Sequence, residues 1–253
     1  LFILVSILLS FALLPILLST TEQPNTTDTK SFSLSEFYII SPLGFVGALF
    51  TGLAHSVVFG YGAVYATAKG LNVLEVSIFM IIITSFGALS QWPIGYLSDK
   101  MDRRIILIGV TFIAAGLCIL IVGASYISLT LFLILTALYS CVSLPMYSLA
   151  IAHTNDFLKQ NEIVAASSAF VRLIGIGSIL GPLMVSAIMS LTGPNGFHIF
   201  LLLVHTLLGL FGLYRMTKRA VPADSESQYV PLPRNITPAG MELNPITEPI
   251  EEE

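Results

Sequence analysis

Few residues of this chain can carry chemistry, and most of them stand in or beside long apolar runs. The densest group is Gly95-Tyr96-Leu97-Ser98-Asp99-Lys100-Met101-Asp102-Arg103-Arg104. Gly95 lets two helices approach closely, and Asp99 falls at a helix end where its carboxylate can accept hydrogen bonds or meet another helix's positive N-terminus. Lys100, Arg103 and Arg104 form a cationic turn of the kind that anchors a loop on the cytoplasmic face of a membrane. Arg172 is different, because it lies about ten residues inside its apolar run, roughly 15 Å from the end at 1.5 Å per residue. An arginine at that depth is costly and implies an anionic substrate group or a carboxylate partner, unless it snorkels toward the surface. His55, near the centre of its run, and His205 have the residue type for proton coupling; the alternative is an interhelical hydrogen bond. Gln91, Tyr139, Ser143, Tyr147 and Ser168 either line a polar cavity or hold helices together. His153 and Asp156 share one helix face; two groups are too few for a metal site, and a capping or gating contact at the cytoplasmic end of the span is the favoured reading. Cys118 and Cys141 lie in apolar runs and are too few for a disulfide framework. No metal and no cofactor is expected.

The elements that position these residues follow from composition. Of 253 residues, 55% are apolar and 10% charged, against about 25% charged in a typical soluble domain. That excludes a water-soluble globule. Seven stretches approach or exceed the roughly 20 apolar residues a bilayer requires: Leu1–Ser19, Pro42–Ala66, Leu74–Leu97, Ile105–Ala124, Ile127–Ala152, Ile163–Leu191 and Phe197–Tyr214. Backbone polar groups in lipid must pair internally, so runs of this length are helices, and the fold class is an all-α polytopic membrane protein. Within the spans, Pro93 and Pro145 are expected to kink, Gly177 and Gly181 to permit close helix contact, and Pro182 to break the helix beside them.

Basic residues set the orientation. Lys30, Lys100, Arg103, Arg104, Lys159, Arg215, Lys218 and Arg219 fall on one set of loops, and Lys69 alone on the other. The first set is expected in the cytoplasm, together with the C-terminus. Residues 20–38 read as a polar cytoplasmic linker, residues 39–216 as a six-span bundle and residues 217–253 as a disordered, acidic, proline-rich tail. Setting aside the seven acids and one arginine of residues 220–253 leaves ten bases against eight acids, so the acidic net charge of −4 belongs to the tail. Nothing in this distribution suits nucleic-acid binding. The sequons at Asn25 and Asn235 fall on the cytoplasmic side and read as accidental. The chain opens on Leu1 inside an apolar run with no basic leader and no small-residue cleavage pattern. Residues 1–19 therefore read as the end of a preceding span rather than a signal peptide.

The loop motif resembles the G-x-L-x-D-R-x-G-R-R signature of the major facilitator superfamily. Gly95, Leu97, Asp99, Arg103 and Arg104 match; Lys100 keeps the charge of an arginine, and Asp102 stands where glycine is usual. Gln91-Trp92-Pro93-Ile94-Gly95, Ala152-His153-Thr154-Asn155-Asp156 and Gly175-x-Gly177-x-x-x-Gly181-Pro182 are similar to the YcaD-like bacterial branch. The resemblance covers about residues 42–216. It implies the C-terminal six-helix half of a twelve-span carrier in a bacterial cytoplasmic membrane, partnered by a missing N-terminal half and by lipid. A small solute, anionic if Arg172 meets it, would bind between the halves and cross by alternating access. In that reading Asp99 and the basic loop control the conformation, while Arg172, His55, Gln91 and Tyr147 are the candidates for substrate contact or coupling. Two other classes compete: a membrane scaffold or sensor presenting the acidic tail, and a membrane-embedded enzyme using His55, His153 or His205. The enzyme reading needs its catalytic groups at one depth, and the sequence scatters them.

Overall fold

The computed structural model describes residues 2–18, 32–159 and 162–218. Residues 20–31 of the expected linker, the tail from Arg219 and both sequons lie outside them. The chain divides into two units, residues 1–30 and 31–253. The first holds α1 (Phe2–Leu17), an apolar helix of 16 residues with Pro15 inside it.

Among its described residues the second unit consists of helices joined by short turns, with no strand. Its first element, α2 (Leu34–Ile40), lies partly within the stretch expected to be linker. A local signal accounts for it: Ser33 caps the Glu36 N–H, and the Glu36 carboxylate returns to the Ser33 N–H at 2.8 Å, a capping box. Fully buried Phe37 then packs edge-on against Phe170 at 6.1 Å between ring centroids. Six helical stretches follow that are long and apolar enough to cross a membrane. They are α3 (Pro42–Ala68), α4 (Val73–Lys100), α5 (Arg103–Ala124), α6 with α7 (Leu129–Ser143 and Met146–Asn155), α8 (Ile163–Thr192) and α9 (Gly196–Met216). Each agrees with an expected span to within a few residues.

Side-chain caps open most of these helices. Ser41 starts α3, Asn72 and Glu75 form a capping box on α4, Asp102 caps α5 and Ser128 caps α6. Glycines at positive φ stand just beyond the ends of α3 and α8, at Gly70 (87°) and Gly193 (71°), a conformation that L side chains resist. The three internal prolines behave differently. Pro145 interrupts its span, separating α6 from α7, whereas α4 runs through Pro93. Pro182 does not break α8, contrary to expectation. A proline removes one ladder bond, and the close packing of α8 on α3 at this level holds the helix around it.

That packing is the tightest in the bundle. A Cβ at Gly52 would stand 2.9 Å from the Ile174 Cα; one at Gly177, 2.8 Å from the Leu53 nitrogen; one at Gly181, 2.7 Å from the Leu53 carbonyl. The obstacles are backbone atoms and cannot rotate away. Around this crossing α5 packs on α9 and α6, and α4 packs on α6. The largest core cluster joins Val57, Tyr65, Phe79, Ile121, Phe132 and Phe200.

Burial is uneven. In its most apolar window α3 is 67% buried, α8 39% and α4 only 22%. Trp92 and Leu89 on α4, and Leu183 and Ile179 on α8, are each more than 60% exposed.

Gly177→Leu is expected to lower unfolding stability in mixed micelles by about 1–3 kcal/mol or to prevent folding, as overpacking against rigid backbone does. Gly116→Leu, where an added Cβ meets nothing within 4 Å, should be neutral. Equal loss in both variants would contradict the close crossing.

Candidate functional site

The chemistry-bearing residues fall into two groups, one at the loop end of the bundle and one inside it. At the loop end the centre is Arg103, the first residue of α5. A cation in a first helical turn works against the helix dipole, so it needs anions nearby. Arg103 has two. Its guanidinium donates to Asp99 Oδ1 at 3.1 Å, to the Ala152 carbonyl at 3.2 Å and to Asp156. The Arg103 and Asp156 side chains are each 5% exposed and that of Asp99 32%. One side chain thus ties the ends of α4, α5 and α7 together.

Beside it, Asp102 caps α5 by accepting from the Arg104 N–H at 2.9 Å and pairs with the Arg104 guanidinium at 2.8–3.2 Å. Burial alone would raise the Asp102 carboxyl pKa. The hydrogen bonds and charge of Arg104, with His153 adding to them, outweigh it and hold the carboxyl below its ordinary value. Asp102 occupies the position where the superfamily signature carries glycine, and here it turns the loop into a cap. Lys100 sits 4.2 Å over the Tyr96 ring, a cation–π contact at the surface. Gly95 is buried and Leu97 is 45% exposed.

Inside the bundle, His55 Nε2 lies 3.0 Å from the Ser143 carbonyl, at the break between α6 and α7. A carbonyl only accepts, so this nitrogen carries a proton. Ser143 Oγ donates to Tyr139 Oη at 3.2 Å, and Tyr139 Oη is 2.9 Å from His205 Nε2. The two histidines are thereby brought into one polar chain across α3, α6 and α9, in the interhelical hydrogen bonds that were the alternative to coupling. His205 Nδ1 is buried without a partner. Ser148 donates to Gln91 Oε1 at 3.2 Å, joining α7 to α4.

Tyr147 stands apart from that chain. With Thr154, Asn155 and Ser167 it lines a narrow, half-open, apolar-walled pocket between α7 and α8. Arg172 is exposed on α8 and turns back along its own helix: Nε donates to the Ser168 carbonyl at 3.3 Å, and a terminal nitrogen donates to the Phe32 carbonyl. That is the snorkelling geometry, directed toward the loop end, and among the described residues no carboxylate pairs with it.

Asp156 was the residue whose role sequence reasoning missed. Its spacing from His153 suggested a pair on one helix face, but its carboxylate turns to Arg103, and the His153 ring packs edge-on to Phe157 instead. Span counting held the signal, since it puts residues 103 and 156 at the same end of adjacent helices. Among the described residues, no three metal-ligating side chains converge.

Comparison with known proteins now decides the family. The model of the Major Facilitator Superfamily matches residues 1–182 and, in a second stretch, 45–243. The chain belongs to the major facilitator superfamily. A protein of Escherichia coli O6:K15:H31 bearing the name MFS-type transporter YcaD is 25% identical over 185 residues, which is 72% of this chain and 47% of the relative. The YcaD protein of Escherichia fergusonii and an MFS-type transporter of Yersinia enterocolitica are each 25% identical over 193 residues, 76% of this chain and 49% of theirs. The chain spans about half the length of the curated relatives it matches. Membership and the six membrane-competent helices make it an integral membrane protein, similar to the YcaD-like transporters.

If Arg103 ties three helix ends, its loss takes the guanidinium from the buried Asp156 carboxylate. Arg103→Met is expected to cost about 3–5 kcal/mol in denaturant unfolding, and adding Asp156→Leu should recover much of that. Additive losses in the double variant would show that the two side chains do not depend on each other.

Proposed function

We propose that this chain forms the C-terminal six-helix bundle of a secondary active transporter that moves a small solute by alternating access. The observation that carries the reading is the uneven burial of a well-packed bundle. α4 and α8 leave long apolar faces open, the latter beside an apolar-walled pocket that carries a few polar groups, while α3 is largely closed in by its neighbours. A second bundle supplied by the missing half would cover those faces and complete a cavity between the two. The bilayer covers the rest.

In this reading the pocket of Tyr147, Thr154, Asn155 and Ser167 is this half's contribution to the solute path. Gln91 is tied to α7 through Ser148, and His55 to the α6–α7 break through the Ser143 carbonyl; both hold the helix that carries the pocket and do not line it. Arg172 stands at the open edge of α8, where a small rotation of its side chain would exchange a backbone carbonyl for an anionic group of the solute. Asp99, the more exposed member of the Arg103 cluster, is the one placed to change partners when the bundles rock. Gly95, Leu97, Lys100 and Arg104 shape the loop that carries it. Gly177, Gly181 and Pro182 belong to the rigid α3–α8 crossing and make this half move as a body.

Eight basic residues on one side against one on the other favour the motif loop and the C-terminus in the cytoplasm. With bacterial relatives, that makes the inner membrane the proposed location. A scaffold or sensor built around residues 217–253 has no comparable support, and an enzyme would need its histidines at a common open site. His55 and His205 are buried instead.

Vesicles carrying the complete polypeptide, screened with labelled organic anions and neutral solutes, should show saturable uptake of at least one. Asp99→Asn is expected to slow that uptake at least about tenfold at unchanged membrane abundance, and Arg172→Ala to raise the KM for an anionic solute by a similar factor. Unchanged rates in Asp99→Asn would remove the gating role, and an unchanged KM would leave Arg172 as a snorkelling residue.

A further inference from the structure

A second opening lies at the loop end of the bundle, away from the pocket between α7 and α8. It is a narrow, half-open cleft, continuous with solvent, among the start of α3, the start of α5, the end of α7 and the end of α9. Its polar lining is Ser41, Arg104, His153 and Arg215, with Pro42 and Phe157 as walls. The charges there do not balance. Arg104 is matched by Asp102, and the neighbouring Asp99 and Asp156 are engaged by Arg103. Arg215 faces the opening and pairs with no carboxylate among the described residues.

α3 starts at the opening, where Ser41 already accepts from the Gly44 N–H and Pro42 has none to give, so its first turn offers at most the Leu43 N–H there. His153, 4% exposed, stands beside it. The Arg215 guanidinium, with Arg104 beside it in its pair with Asp102, the Ser41 hydroxyl and this helix start, is a donor set that phosphate oxygens accept from. Immediately before Arg215 on α9, Leu210, Leu213 and Tyr214 are exposed apolar surface, about half accessible each. Hydrocarbon would cover them in a bilayer.

From this convergence we propose that the opening binds an anionic phosphate group at the cytoplasmic end of the bundle. The arrangement favours the headgroup of an acidic phospholipid, with its phosphate on Arg215 and Arg104 and its acyl chains along Leu210 and Leu213. A free phosphate-bearing solute offers the same oxygens. In either form the anion would bridge α9 to α5 and α3 beside the Arg103 cluster. The site is independent of the solute path and of whatever cargo the carrier moves.

The test uses the purified full chain in mixed micelles containing phosphatidylglycerol or phosphatidylcholine, with retained lipid counted by native mass spectrometry. One phosphatidylglycerol per chain should be retained in preference to phosphatidylcholine. Arg215→Gln should cut that retention about tenfold, Arg215→Lys by less because it keeps the charge without the bidentate fork, and Lys218→Gln by no more than about twofold. If millimolar inorganic phosphate raises the melting temperature of the lipid-free wild type but not of Arg215→Gln, and displaces the lipid, the site stands with free phosphate as its ligand. Equal loss in Arg215→Gln and Lys218→Gln would mean a diffuse basic belt and overturn the proposal, as would retention of neither anion.

Discussion

A single guanidinium organises the loop end of this bundle. Arg103 starts a helix whose dipole disfavours it, and it is buried, so it stays only because Asp99, Asp156 and the Ala152 carbonyl accept from it. Its position fixes where three spans finish. Asp102 and Arg104 close the adjoining turn with a pair of their own, so the tight α4–α5 connection is held by charge rather than by apolar contact. Because α7 carries two of the acceptors, any motion of the α7 end relative to α4 must either carry Arg103 along or change its partners. Among its contacts, Asp99 is the more accessible, and the exchange falls there most easily.

Elsewhere the bundle resists internal change. Gly52, Gly177 and Gly181 bring the backbones of α3 and α8 into contact, and a crossing made of backbone atoms has no rotamers to adjust. The α6–α7 break does the reverse. Pro145 interrupts a span midway, and the Ser143 carbonyl beside the break is taken up by His55 from α3. A stiff pair of spans beside a broken one gives a unit that can rotate as a whole while the broken span adjusts locally. Such a unit suits rocking between two bundles, with α4 and α8 supplying the faces that slide.

Much of this was legible in the sequence because membrane helices answer to few terms. Apolar length placed six spans. The Gly177–Gly181 spacing marked a close crossing whose partner, Gly52, only the structure reveals. What escaped the sequence was non-local. Asp156 was read against its helical neighbour His153, since periodicity reports faces of one helix and not which ends of two helices meet. Arg172 was read as deep because depth was counted along the helix. A guanidinium reaches several ångströms back toward the surface, and the Phe32 carbonyl that receives it stands just before a short helix hidden in a polar stretch. That helix was itself foreshadowed by Ser33 and Glu36, a capping box in a segment otherwise lacking apolar periodicity. Pro182 shows the opposite error: a local breaker overruled by tertiary packing.

The central claim is that the pocket between α7 and α8 opens alternately to the two sides of the membrane. The most direct measurement is sided modification of a cysteine at Ser167, buried at 5% exposure in the pocket wall. It would be made in the complete polypeptide with Cys118 and Cys141 replaced. An impermeant maleimide should reach Ser167→Cys from each side of sealed vesicles, with the balance between sides shifted by Asp99→Asn. Labelling from one side only, unaltered by that substitution, would contradict alternating access through this pocket.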